Sequence, residues 1–182
     1  MGQITANFFI SLDGVVERPD QWHFPYFNDE MGAVIGAGME TYDAFLMGRV
    51  LYGEWSQYWP SASADQEFGA FINAIPKYVV SDSLESADWT NTTLLRGDTA
   101  AARLRELKET TPGGIGMSGS ATLVRWLLAE NLLDRLDLLI HPIAVGHGAR
   151  LFEDTPTYPL ELLRQTTLST GVLHATYAPA KP

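Results

Sequence analysis

Ile115-Gly-Met-Ser-Gly-Ser-Ala121 runs straight into Thr122-Leu-Val-Arg-Trp-Leu-Leu-Ala-Glu-Asn131. A short apolar segment ends in small residues, and an amphipathic helix starts at once. Leu123, Val124, Leu127 and Leu128 recur at helical spacing and predict one buried stripe. Ser118, Gly119 and Ser120 fall where the first helical amides lack carbonyl partners. Those free N–H groups, with the positive end of the helix dipole, suit a phosphate. Gly119 has no side chain to hold a phosphate away from the backbone. The same residues also fit a plain strand–turn–helix capped by Ser120, because short glycine motifs have many ordinary uses.

Upstream, the pattern recurs. Residues 3–10 are rich in β-formers and predict a first strand, followed by an Asp13-Gly14 turn. Trp22, Phe24, Tyr26 and Phe27 crowd the next loop, which fits either a loop folded onto the core or the wall of a flat-ligand pocket. Asn28-Asp-Glu caps a helix whose apolar face is Met31, Val34, Ile35, Met39 and Tyr42. Residues 44–47 read as a buried strand, and Gly48-Arg49 opens a second strand–glycine–helix junction, with residues 50–55 helical. Residues 58–64 read as a loop and residues 66–74 as a helix stopping before Pro76. Residues 77–80 form a third strand ended by Ser81-Asp82, and residues 92–95 a fourth ended by Arg96-Gly97-Asp98. Thr99 opens a helix that stops near Pro112.

Downstream, residues 136–145 form a long apolar segment that Pro142 bends. Residues 160–179 predict a hairpin around Thr170-Gly171. Strands alternate with helices and then pair, which predicts an α/β chain with a largely parallel sheet and an antiparallel edge. Ligands of such sheets bind at the carboxyl ends of the strands.

The chain has 182 residues, enough for one well-filled domain spanning 1–182. It has no cysteine, which excludes disulfides and thiolate chemistry. His23, His141, His147 and His174 lack metal-ligand spacing, so no metal is expected. A formal net charge of −10 argues against nucleic acid or an anionic membrane as partner. No apolar run is long enough to span a bilayer and no leader opens the chain, so a cytoplasmic protein is expected.

Leu46-Met-Gly-Arg49 with Tyr52, Tyr78-Val-Val-Ser81, Leu95-Arg-Gly-Asp98, Met117-Ser-Gly-Ser-Ala-Thr-Leu123, Leu139-Ile-His-Pro142 and Gly146-x-Gly148-x-x-Leu-Phe152 follow in this order. The set resembles the dihydrofolate reductase-like superfamily, nearest the branch holding the reductase domain of bacterial riboflavin biosynthesis. The resemblance covers nearly the whole chain. It implies a three-layer α/β/α fold around a mostly parallel, eight-stranded mixed sheet with an antiparallel C-terminal hairpin. It also implies an NADPH- or NADH-dependent reductase of a small pterin-, flavin- or pyrimidine-like substrate, working as a homodimer. By that resemblance Gly48 and Arg49 face the cofactor phosphates, Ser81 and Asp82 approach the adenosine ribose, and Ser118, Gly119, Ser120, Ala121 and Thr122 hold the pyrophosphate. A flavin in the same groove is left open.

Three departures stand out. Leu51 replaces the family's threonine at the start of the second helix, and Asp82 replaces a basic residue. A carboxylate there repels the 2′-phosphate of NADPH but accepts a hydrogen bond from the free ribose of NADH. Phe27 falls where dihydrofolate reductases carry their pterin-binding acid, which argues against folate reduction. Asn7, Asp13 and Trp22 are the candidate substrate contacts; no acid or base for catalysis is evident. Leu51 and Asp82 also fit a second class, a nucleotide- or small-molecule-binding protein that kept the fold without turnover.

Overall fold

The computed structural model describes residues 2–62 and 66–180. An eight-stranded sheet runs through it in the order β4-β3-β2-β5-β1-β6-β8-β7. The strands are β1 (Ile4–Ser11), β2 (Tyr42–Gly48), β3 (Lys77–Val80), β4 (Thr92–Leu95), β5 (Gly114–Ser118), β6 (Arg135–His141), β7 (Leu160–Thr167) and β8 (Leu173–Pro179). The helices are α1 (Asp29–Met39), α2 (Arg49–Tyr58), α3 (Gln66–Ala74), α4 (Thr99–Thr110) and α5 (Ala121–Ala129). Strands β1 to β6 are parallel, β8 is antiparallel to β6, and β7 is antiparallel to β8. The expected mixed sheet with its antiparallel hairpin is what forms.

Alternation along the strands sorts side chains onto two faces. Ile4, Ala6, Phe8, Ile115, Met117, Ala44 and Leu46 face α4 and α5. The stripe Leu123, Val124, Leu127 and Leu128 is buried there as expected, each side chain contributing roughly 1.5–3 kcal/mol relative to exposure. The opposite face is covered in two parts. Phe45, Met47 and Val79 pack under α2 and α3. Met31, Val34 and Ile35 of α1 pack against Phe9 and Leu139.

Between these two parts the sheet is nearly bare. Gly114 and Gly116 of β5 point here, and the Tyr42 ring lies over them; a Cβ on Gly116 would come within 2.5 Å of that ring. Asn7 of β1 lies beside it, bonded to the Tyr42 hydroxyl at 3.0 Å. This strip of β5 and β1, between α1 and α2, is thus covered by the Tyr42 ring.

Several boundaries differ from expectation, each for a local reason. Tyr42 belongs to β2 and not to the face of α1. That helix stops at Met39 after two glycines, and Tyr42 is needed over β5. Helix α2 extends through Tyr58, so the loop expected from that residue begins later; its end at residues 63–64 lies outside the described residues. Strand β6 ends at His141 because Pro142 has no N–H and Ile143 bonds back to His141 O. Helix α3 is closed by Lys77, whose buried ammonium donates to Ile72 O and Ile75 O at 2.8 and 2.9 Å. Burial pushes that amine down to about 8. Leu168 and Val172 are internal, while Leu162 and Leu163 of edge strand β7 are exposed.

Candidate functional site

The carboxyl ends of β2 and β5 lie side by side, and each opens a helix. Gly48 stands at the N-cap of α2 with no side-chain cap. Ser120 caps α5 by accepting from Leu123 N at 3.3 Å. The two starts touch: a Cβ on Gly48 would lie 2.6 Å from Ser120 Oγ. Only glycine lets α2 and α5, on opposite faces, bring both positive ends to one place. Gly119 and Ser120 are both left-handed, at φ 75° and 62°. For Ser120 that conformation is costly and marks local strain.

Arg49 is exposed, at the first position of α2, with no ion pair or hydrogen bond among the described residues. A cation there is disfavoured by the helix dipole, and an anion beside it would relieve that. The hydroxyls of Ser118 and Thr122 are likewise unpaired, and Ala121 leaves the helix start uncluttered. Two helix N-termini, the Arg49 guanidinium and open backbone at Gly119 thus lie together, an arrangement with the electrostatics to suit an anion. One feature runs against it. Leu51 lies 4.0 Å from where a Gly119 Cβ would be and puts an apolar side chain at the rim.

The β3 and β4 ends are more self-contained. Ser81 is buried and its Oγ accepts from Ser83 N and Leu84 N, closing a turn. Asp82 accepts from Gly97 N and ties β3 to β4. Arg96 donates to Leu84 O and Glu85 O, so its guanidinium is committed locally. Asp82 remains exposed; Ser81 presents its backbone more than its hydroxyl.

At the β1 and β6 ends the expected substrate contacts are placed differently from one another. Asn7 lies in the strip beside Tyr42, with its amide held by Tyr42 and by Met117 O at 3.1 Å. Asp13 is saturated: it accepts from Ser11 Oγ at 2.6 Å, Val145 N at 3.0 Å and Gly146 N at 2.8 Å. Those bonds hold its carboxyl well below the usual range and clip the β1 turn to the loop after β6. Trp22 is buried, donates to Glu17 O at 3.1 Å, and meets the His141 ring edge-on at 5.3 Å. It is one member of a packed cluster with Phe9, His23, Tyr26 and His141. Phe27 is exposed at the rim, and Glu30 is taken up by Ser169.

Sequence reasoning passed over the two imidazoles in that cluster. Both are buried, and Nε2 of His141 and Nδ1 of His23 have no hydrogen-bond partner among the described residues. Sequence reasoning also missed Asp137, beside Asn7 on the same face of the sheet, which accepts from His174 Nε2 and Thr176 Oγ1. Burial would raise the Asp137 carboxyl, but the bonds from His174 and Thr176 outweigh it and leave it lowered. Alternating polar residues on facing strands were the available signal. Among the described residues no group of three or more His, Cys, Asp or Glu is placed to hold a metal ion.

Residues 3–174 match the RibD C-terminal domain family. The chain belongs to that family. A relative from Bacillus subtilis (strain 168), the uncharacterized protein YyaP, is 26% identical over 180 residues, covering 96% of this chain and 94% of that one. In structure the chain is similar to a putative riboflavin biosynthesis protein from Shewanella sp. PV-4, with a TM-score of 0.78, 17% identity and 98% and 99% of the two chains covered. It is also similar to dihydrofolate reductase from Enterococcus faecalis, solved with NADP(H), with a TM-score of 0.64, 13% identity and 99% and 98% covered. A third, with a TM-score of 0.68 and 14% identity, is the diaminohydroxyphosphoribosylaminopyrimidine deaminase/5-amino-6-(5-phosphoribosylamino)uracil reductase from Thermotoga maritima; 98% of this chain overlays 57% of that longer one. These likenesses establish a dihydrofolate reductase-like fold. Among the described residues no helix is long and apolar enough to cross a membrane.

Proposed function

We propose that the protein is an NAD(P)H-dependent reductase of a small pterin-, flavin- or pyrimidine-like heterocycle. The observation that carries this reading is the meeting of two helix N-termini beside an unpaired Arg49. Family membership supports it, as does the likeness to the E. faecalis and T. maritima reductases. Gly48, Arg49, Ser118, Gly119, Ser120, Ala121 and Thr122 would hold the pyrophosphate, and Ser81 and Asp82 would border the adenosine ribose. The nicotinamide, when bound, supplies a hydride; the protein supplies position and electrostatics. Asn7 would floor the site beside the reacting ring, while Asp13 and Trp22 shape its rim. The test is titration with NADH and NADPH followed by quenching of the five tryptophans, then turnover on a panel of pterins, flavins and dihydropyrimidines. Failure of both nucleotides to bind would overturn the reading.

Leu51 at the cradle's rim favours a second reading, a binding protein on the same fold without turnover. Nucleotide binding with no oxidation across the panel would select it. We take residues 1–182 as a single domain acting in the cytoplasm as a homodimer, without nucleic acid, membrane or metal. Exposed Leu162 and Leu163 on edge strand β7 offer a surface for pairing. A monomer mass by light scattering that holds as the sample is concentrated would refute the dimer.

A further inference from the structure

The loop between β1 and α1 is folded the wrong way round for a loop with nothing to bind. His23 is 7% exposed while its neighbour Phe24 is 64% exposed, and Phe27 is 48% exposed. A chain free to choose would bury the phenyl rings and leave the imidazole in water. Instead the His23 ring lies flat on Phe9, with centroids 4.4 Å apart and an interplanar angle of 15°. Its Nδ1 is buried with no hydrogen-bond partner. Buried nitrogens are seldom left so.

Facing it, with ring centroids 6.2 Å away, is His141 at the end of β6. This ring is 0% exposed. Its Nδ1 lies 2.8 Å from Leu139 O. A carbonyl only accepts, so Nδ1 carries the proton there. Burial keeps the ring neutral by lowering its pKa against the pull of the Leu139 and Ile10 carbonyls. Nε2 therefore presents a lone pair, and nothing donates to it. Phe9, Trp22 and Tyr26 surround it with aromatic edges and faces.

We propose that the slot over Phe9, filled in the free protein by the His23 ring, receives a flat nitrogen heterocycle whose N–H edge donates to Nε2 of His141. The heterocycle as substrate class rests on the reductase reading above; the slot and its acceptor do not. His23 is the chain's own flat ring, held where the ligand's ring goes. Residues 23–27 move aside on fixed posts. Trp22 stays bonded to Glu17 O on one side, and Asn28 caps α1 and bonds Ser169 on the other. Arg18, left-handed at φ 46°, holds the strained entry to the loop. When His23 leaves, its nitrogen regains water and Phe24 can fold against the incoming ring.

The test uses lumazine, a flat pteridine dione with ring N–H donors, and its N,N-dimethyl derivative, in which bulkier methyl groups replace them. Binding is measured by calorimetry on the full chain. Wild type is expected to prefer lumazine by about tenfold, since the methylated ring leaves Nε2 unpaired. His141→Phe is expected to abolish that preference. His23→Ala is expected to tighten both compounds by about tenfold, because the competing ring is gone. Equal affinities in wild type, a preference surviving in His141→Phe, or unchanged affinity in His23→Ala would each overturn the proposal. Loss of the preference on removing the acceptor separates the hydrogen bond from the bulk of the methyl groups, and His141→Leu takes the place of His141→Phe if that variant does not fold. NADPH affinity on the same samples separates the two readings. NADPH binding without a lumazine preference sinks the slot alone. A lumazine preference without NADPH binding sinks the reductase reading alone.

Discussion

At the ends of β2 and β5 the chain leaves its donors open, while at the ends of β1 and β6 it closes nearly everything up. The first region is made of backbone: Gly48, Gly119 and two helix starts, with Arg49 waiting unpaired. The second is made of side chains: a carboxylate with its bonds filled at Asp13 and a packed aromatic cluster around His141. A phosphate is the same on every nucleotide, so a rigid, preformed backbone site serves for it. A substrate ring differs from enzyme to enzyme, so on the proposed reading its site would be written in side chains, here the packed cluster around His141.

The sharpest way to break this contrast is Gly119→Asp. It sets a carboxylate against the bound phosphate and should weaken NADPH by about a hundredfold, ~2.7 kcal/mol. Fold stability should drop by less, about 1–2 kcal/mol for a side chain at positive φ, because a Cβ there meets only Leu51 at 4.0 Å. Unchanged NADPH titration would mean that the cradle is an ordinary strand–turn–helix. Arg49→Gln comes next. It should cost about tenfold in NADPH affinity while raising the melting temperature of the free protein slightly, since a cation is lost from a helix N-terminus. Opposite signs in the two measurements are the diagnostic; a fall in both would make Arg49 a structural residue.

This division also decided what could be read from the chain. Strand–glycine–helix junctions are local, so the β2–α2 and β5–α5 starts, the Ser120 cap and the Asn28 cap were legible. So was the eight-stranded mixed sheet, because the periodicity changes are local too. What was hidden is set by partners far along the chain. Gly48 is glycine because of Ser120, and Gly116 because of Tyr42. Asp13 looked like a turn residue and a possible contact; it proves to be a clip to Val145 and Gly146. His23 and Phe24 gave no hint of which would turn inward, because that choice depends on Phe9 and His141 beneath the loop.

Asp82 lies between the two regimes, exposed yet tied to Gly97 N. Its charge near a 2′-phosphate would oppose NADPH by roughly 1–4 kcal/mol before screening. Arg96, at the end of the neighbouring strand β4, donates to Leu84 O and Glu85 O. NADPH should therefore be favoured over NADH weakly or not at all, and Asp82→Arg should shift the ratio of dissociation constants toward NADPH by about tenfold. An unchanged ratio would mean that the ribose lies elsewhere.

The smallest effect belongs to the packed side and reads as stability. Asp137 accepts from His174 and Thr176 beneath the closed half of the sheet, and its carboxyl is lowered despite burial. The unfolded chain binds the proton at higher pH than the folded one, so between those two values acid favours unfolding. The stabilisation is fully present above the ordinary carboxyl pKa and is lost as pH falls through the lowered one. Asp137→Asn keeps the shape without the titration, so its unfolding free energy should fall less than that of wild type between neutral and acid pH. NADPH affinity should be untouched, because Asp137 lies on β6, away from the phosphate cradle. Urea melts across that range, in wild type and variant, measure the difference. Parallel curves would show that Asp137 carries no net linkage. A variant that lost NADPH binding as well would show that the two halves of the sheet are coupled after all.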